Sequence, residues 1–490
     1  MTGKRYQPWS PLQPYLFPPS PLEWLPEGHL AYFLLDVVEA LDLTTIERVL
    51  QAKEARGQRS YEPRMLTALL LYAYSTGIFS SRRIERATYE DVAFRVLSAG
   101  QHPHFTTVNE FRRQHRDALA GLFEQVLKLC RHAGLLSLGR VALDGTKVQA
   151  NASKHKAMSY ARMQTEEKRL SAEIDELLAK AEETDQREDA ELGVGVTKLD
   201  IPQELHRRED RRARIQLAKA ELEEEARRTR VAELGARARE HVSDANDETL
   251  SEMHRKRAAS RAKKDAEAAA KLRKPDDDDP PGGAPLTDLP RHRVPATPAG
   301  DPRPKSQRNF TDGDSRIMVR DGGYVQAFNA QIMVTEAQII VAHAVTNHPN
   351  DIQHLAGLTE RCRDSAGELP RELLADAGYF SKKNAAYCEK EGVDAYLSVS
   401  AQSKPGEAKL PASAWARMRD KLATTYGKAA YAQRKAIVEA PFGQIKEARR
   451  FRRFSLRGLR SVRAEWAIVC TCHNLLKLFR SGAYAQLAAA

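Results

Sequence analysis

Residues 139–151 read GRVALDGTKVQAN, a β-branched, alternating stretch in a chain that up to that point reads as helical. The pattern predicts a strand ending in a turn at Asp144-Gly145. A second apolar run, ELLADAG (372–378), also ends on an acid and leads into a strand-to-helix turn. Acids at the carboxyl ends of neighbouring strands converge at a sheet edge, where α/β proteins place their sites. The expected fold is therefore mixed α/β, with Asp144 and Asp376 on one edge.

Outward from these strands the 490 residues divide by composition. Residues 1–27 form a proline-rich leader. Residues 28–137 read as an all-α N-terminal domain, its helices separated by short polar or glycine-bearing turns. Thr107 and Glu110 have capping-box spacing, so a helix is expected to start there. It would carry Arg112 and Arg113 on exposed positions suited to a helix-turn-helix contact with DNA. An ordinary amphipathic helix with a basic outer face fits that stretch equally well.

The first part of the α/β domain covers 138–154, and Ala, Glu, Lys and Arg then dominate. Leu170, Ile174 and Leu177, with Ile215 and Leu222 further on, carry helix-pairing spacing. GVGVTKLDIPQ (193–203) interrupts the run, so residues 155–273 are expected to form a long helical hairpin. Residues 274–308, with DDDDPPGG at their start, read as a flexible linker. The α/β domain resumes over 309–480, with a Gly322-Gly323 hairpin signal, and residues 481–490 form a tail.

A formal net charge of +11 points to an acidic partner, nucleic acid above all. Five irregularly spaced cysteines argue for a reducing compartment and against a disulfide scaffold. CTCH (470–473) lies in an apolar run that reads as a packed helix rather than a metal site. The longest apolar stretch, LTALLLYAYSTGIF (66–79), is too short to span a bilayer, and no signal peptide is visible. A soluble, cytoplasmic protein is expected.

A third acid stands in YAQRKAIVEAPFGQIK (431–446). Glu439 is the only acid there, and the very basic EARRFRRFSLRGLRSVR follows at once. On a helix, Tyr431, Lys435, Glu439, Phe442 and Lys446 share one face, although Pro441 threatens a kink. Two or three carboxylates suit a pair of Mg²⁺ or Mn²⁺ ions, which prefer oxygen ligands and serve in-line attack on phosphorus. Each acid also has an ordinary explanation, as a turn former or a salt-bridge partner. Asn329 and Gln331 are strand residues that can face the site. Asp351, in NHPND (347–351), reads as an N-cap.

In this order, LDGTKVQANAS (143–153), DSRIMVRDGGYVQAFNAQIMV (314–334), VTNHPND (345–351), LLADAGYFS (373–381) and YAQRKAIVEAPFGQIK (431–446) resemble the DDE transposases of bacterial insertion sequences. The resemblance is to the branch with a Tyr-Arg-Glu-Lys signature. It implies a ribonuclease-H-like catalytic domain, interrupted here by the helical insertion, with Asp144, Asp376 and Glu439 as catalytic acids and ligands of a pair of Mg²⁺ or Mn²⁺ ions. Tyr431, Arg434 and Lys446 match the rest of the signature, which implies contacts with transposon-end DNA. Four residues separate Arg434 from Glu439 where the common form has three, so Lys435 stands as an alternative basic position. Arg449, Arg450, Arg452 and Arg453 would track phosphates. The implied partners are terminal inverted repeats, target DNA and a second copy of the chain, in the cytoplasm of a bacterium. A structure-specific nuclease, or a DNA-binding regulator derived from a transposase, is the alternative. A basic coiled-coil scaffold is a third reading.

Overall fold

A computed structural model describes residues 20–51, 60–192, 201–275, 277, 288–399 and 413–483. Most of the leader, the interruption at 193–200, the acidic-proline stretch 278–287 and the tail from 484 lie outside these residues.

The strand at the centre, β1 (Arg140–Gln149), does not turn at Asp144-Gly145 but runs straight through it. Gly145 is needed inside the strand for a packing reason. A Cβ there would lie 2.2 Å from Nε2 of Gln331 on the neighbouring strand, so any other residue would have to push that amide from its place. The short strand β2 (Ala157–Ser159) opens the insertion, and β3 (Gln307–Asn309) closes it by antiparallel pairing with β2. Next come β4 (Arg316–Arg320), β5 (Gly323–Thr335), β6 (Ile340–Thr346), β7 (Glu372–Ala375) and β8 (Asp394–Leu397).

One edge of β5 pairs with β1, and its other edge is shared by β4 and β6. The order β6-β5-β1-β7-β8 has two antiparallel and two parallel neighbours, with β1 parallel to β7 and β7 to β8. This is the ribonuclease-H-like arrangement, and the expected mixed α/β class holds. These strands read as near-continuous apolar runs because both faces of the sheet are covered.

The N-terminal helices are α1 (Leu30–Ala40), α2 (Thr44–Gln51), α3 (Pro63–Ser75), α4 (Ser81–Glu90), α5 (Val92–Leu97), α6 (Phe105–Gln114) and α7 (Arg116–His132). Asp91 separates α4 from α5 by capping the latter, accepting the N–H groups of Ala93 and Phe94. The cap of α6 is His104, three residues before the start predicted at Thr107. The last helix, α15 (Leu459–Ser481), lies against β6, α7 and α3. One continuous core therefore runs from Ala31 through the sheet to Leu478. The N-terminal helices share the core of the α/β domain rather than forming a core of their own. The CTCH cysteines are buried there, Cys472 Sγ facing the carbonyl of Leu71.

The insertion holds three helices rather than two: α8 (Tyr160–Leu192), α9 (Ile201–Asn246) and α10 (Glu252–Leu272). Leu170 of α8 and Ile215 of α9 pack together as their spacing predicts. The seam between α9 and α10 contains the buried small residues Ala238, Ala258 and Ala262. Alanine lets backbones approach closely but leaves no periodic trace of large apolar residues, which is why α10 escapes a sequence reading. Residues 288–308, expected to be a flexible linker, are packed. Leu289 and Val294 are buried, and Thr346 Oγ1 donates to the carbonyl of Pro290 at 2.5 Å.

Candidate active site

In the parallel pairing of β1 with β7, Leu143 stands opposite Ala375, so Asp144 and Asp376 follow as the next step on adjacent strands. Each carboxylate is oriented by a nearby glycine N–H. Asp144 Oδ1 accepts from Gly145 at 2.8 Å, and Asp376 Oδ1 accepts from Gly378 at 2.9 Å. Asp144 Oδ2 also pairs with Arg434 Nη1 at 3.1 Å. Burial pushes the Asp144 carboxyl above its ordinary value, and neighbouring Asp376 adds to the rise. The Gly145 N–H and Arg434 oppose that rise without cancelling it.

A polar network lies beside these acids. Asp351 Oδ1 accepts from Asn329 Nδ2 and Gln331 Nε2, both at 2.7 Å, and pairs with Lys147 Nζ at 3.5 Å. Asn329 and Gln331 are fully buried on β5, and the buried Tyr379 hydroxyl donates to Gln331 Oε1. Trp466 on α15 donates its indole N–H to the backbone carbonyl of Gln331 at 3.2 Å. Asp351 is thus not the N-cap its position suggests; that place belongs to His354, ahead of α11 (Leu355–Ala366). Burial lowers the Lys147 pKa, against the pull of Asp351, Asp144 and Asp376. Lys147 and Asp351 are site residues that sequence reading missed. Asp351 had a signal as an acid in the loop between β6 and α11, whereas nothing in the spacing marks Lys147.

The signature stretch forms most of α14 (Thr425–Gly443), which follows α13 (Ala414–Ala423) and packs against β1, β5, β7 and β8. Pro441 does not break it: the helix runs on and widens into a π-turn at Gln444–Ala448. Arg434 faces Asp144 while Lys435 is exposed, so Arg434 is the basic residue turned to the acids. Tyr431 is partly buried against the core. Lys446 is half-buried, rests over the Phe442 ring at 5.5 Å, and has its pKa lowered by burial, with Asp321 and Asp144 among the charges that favour its cation. Glu439 is exposed, five residues after Arg434 and seven before Lys446 in the chain.

Two of the expected DNA contacts are not at the surface. Arg112 is buried and donates to the Tyr74 hydroxyl at 3.0 Å and the Phe79 carbonyl at 2.9 Å; Tyr74 in turn donates to Glu465. Arg449 is buried and donates to the carbonyl of Val469 at 3.1 Å. Both sit on the inner side of their elements and compensate buried oxygens, so neither is available to a phosphate. Arg113, Arg450, Arg452 and Arg453 are exposed. Arg452 pairs with Glu447, and Arg453 donates to Asn151 Oδ1 at 2.7 Å.

Asp144 and Asp376 suit a hard divalent cation: both offer carboxylate oxygens one step past the paired Leu143 and Ala375 on adjacent strands, and their mutual repulsion favours a cation between them. Among the described residues, no group of three or more His, Cys, Asp or Glu side chains is gathered closely enough to hold an ion. Glu439 is thus not clustered with the two aspartates.

Two families match the chain. Residues 294–475 match the family described as Transposase DDE domain, and residues 20–114 match Transposase domain (DUF772). The first holds Asp376, Glu439 and the whole of α14, and the second covers α1 to α6. No curated protein and no solved structure matches the chain.

Proposed function

Because the chain belongs to the DDE transposases of insertion sequences, we propose that it cuts DNA at the ends of a mobile element and joins those ends to target DNA, with Asp144, Asp376 and Glu439 as its catalytic acids. The observation that carries this reading is the pair of aspartates on adjacent parallel strands, with Arg434 of the signature helix seated on one of them. A bound Mg²⁺ or Mn²⁺ ion would activate a water or the DNA's 3′-hydroxyl and stabilise the leaving oxygen. Asp144 and Asp376 would hold it, and Glu439, which stands apart from them here, would have to move in to serve as the third donor.

The chain's own cations prepare this site for a phosphodiester. Arg434 neutralises Asp144 before DNA arrives, and its planar guanidinium suits a phosphate as well as a carboxylate. Lys446 offers a second charge beyond Glu439 on the same helix. Lys147, anchored by Asp351, offers a third from β1. Exposed Arg450, Arg452, Arg453 and Arg113, with Lys435, extend the positive surface. Joining two ends requires at least two active sites, so the working form is a dimer or larger on DNA, in the cytoplasm of a bacterial cell.

The test is a strand-joining assay with paired element ends and a supercoiled target in Mg²⁺. Joined products are expected. Nicked ends without joining would favour a nuclease. End-specific binding with neither product would favour a DNA-binding regulator, a reading that the separate position of Glu439 supports.

A further inference from the structure

The root of the inserted hairpin carries a concentration of charge that the catalytic site does not use. A cavity of about 600 Å³ opens between α9 and the β2–β3 ribbon. Arg207, Arg211 and Arg214, four and three residues apart on one exposed stripe of α9, line one wall. Arg162 of α8, with His155 and Lys156 ahead of β2, adds to them, and Asp210 is the one acid in the lining.

Elsewhere the insertion neutralises its cations pairwise: Arg169 with Glu173, Lys219 with Glu167, Arg227 with Asp277, Arg308 with Glu225. At the root, Arg211 has a long pair with Glu166 at 3.4 Å, and Arg207 and Arg214 line the opening beside it. Like charges collected along a groove repel one another and favour a polyanion there.

The groove continues towards the catalytic strand. A second cavity of about 350 Å³ shares His155 with the first and is lined by Lys154, Arg453, Tyr324 and Gln149. Gln149 is the last residue of β1, the strand that bears Asp144, and its N–H donates to the carbonyl of Arg452 at 3.2 Å. The basic segment after α14 is thereby tied to one end of the groove, and the α9 arginines form the other. Tyr324, 66 % exposed at the tip of the β4–β5 hairpin, presents an aromatic face at the near end.

We propose that this groove binds the phosphodiester backbone of the DNA leading away from the cleaved end, so that the insertion is a second DNA-binding element continuous with the active site. This rests on the transposase reading above, and the test separates the two. Binding of the full chain to element-end duplexes is measured by fluorescence anisotropy across a salt series, independently of cleavage. The variant is Arg207→Gln, Arg211→Gln and Arg214→Gln together. A control removes the same charge from exposed positions on α10: Arg257→Gln, Lys263→Gln and Lys264→Gln.

Loss of three phosphate contacts is expected to flatten the slope of log K against log salt by about 2.7. On a duplex trimmed to the cleavage site, the groove variant is expected to bind as the wild type does. The α10 control is expected to leave both slopes unchanged. A groove variant with the wild-type slope on long duplexes overturns the proposal, as does equal flattening by the control. A shift in oligomeric state with the slope unchanged also overturns it, since the groove would then be a contact between copies of the chain. Absence of end-specific cleavage by the wild type, with the slope effect intact, overturns the transposase reading and leaves the groove standing.

Discussion

Arginine 112 shows how a single residue divides pattern from structure. Its position in a polar helix with basic neighbours reads as an outward, DNA-facing cation. Tertiary packing turns it inward, because Glu465 and Tyr74 are buried across from it and need a charge-assisted donor. Glu465 also accepts the N–H groups of Ser455 and Leu456, so this cluster ties α6 and α3 to the segment ahead of α15. Replacing Arg112 with Ala leaves a buried carboxylate without its compensating charge and is expected to cost about 3–5 kcal/mol in denaturant unfolding. The salt slope of DNA binding should stay the same. A flattened slope with unchanged stability would restore Arg112 to the DNA surface. Arg449 was illegible for the same reason: a basic run marks its charges as external, and only the fold selects the one that points inward. Asp144 and Asp376 were legible because each acid follows a short apolar run on one of two neighbouring strands, although only β7 ends there and β1 continues past Asp144.

At the scale of elements, α14 sets the site, and its position depends on the turn from α13. Thr424 caps α14 by accepting the Gly427 N–H at 2.9 Å, and a Cβ on Gly427 would lie 2.1 Å from the carbonyl of Lys421. Gly427→Ala must therefore displace the start of α14 and shift Arg434 relative to Asp144. Overpacking of this kind costs about 1–3 kcal/mol, and DNA cleavage is expected to fall with it while the far-ultraviolet spectrum is retained. Cleavage at the wild-type rate would show that α14 tolerates the shift. The signature stretch predicted a helix here, but not the π-turn that absorbs the end of it after Pro441. Insertion helix α10 was hidden because its buried contacts include alanines, and residues 288–308 because a proline-rich, polar segment packs through a few apolar residues, Leu289 and Val294 among them.

Over the whole molecule, the N-terminal helices and the sheet form one core, and buried neutral histidines make that core sensitive to acid. Burial lowers His473 to about 3 and His354 to about 4, from 6.5. His473 donates from Nε2 to the carbonyl of Gln338 and has no hydrogen-bond partner for Nδ1; neither ring nitrogen of His354 has a hydrogen bond, although Asp351 Oδ1 lies 3.9 Å from Nδ1. The unfolded chain takes up protons at these residues below about pH 6.5 while the native chain does not. Stability is therefore full above that value and falls as pH drops towards 4. At pH 5.5 the two residues together are expected to remove about 3 kcal/mol, a large share of an ordinary domain's stability. Thermal melts at pH 7.5 and 5.5 check this. An unchanged midpoint would mean that these histidines protonate within the fold. The single core also explains why the boundary near residue 137, drawn from composition, does not separate two cores: composition changes there, but the apolar faces of α3 and α7 continue into α15.

The central claim, that Asp144, Asp376 and Glu439 form one metal-dependent site, is tested most directly by Mg²⁺-dependent cleavage of duplexes carrying the element's own ends. Asp144→Asn, Asp376→Asn and Glu439→Gln are compared with the wild type and with Glu447→Gln, an exposed acid two turns further along. Each of the first three is expected to lose at least about a hundredfold in rate, roughly 2.7 kcal/mol of barrier, with end binding retained and Glu447→Gln unaffected. Wild-type cleavage by Asp144→Asn or Asp376→Asn would contradict the site itself, and wild-type cleavage by Glu439→Gln would remove that residue from it.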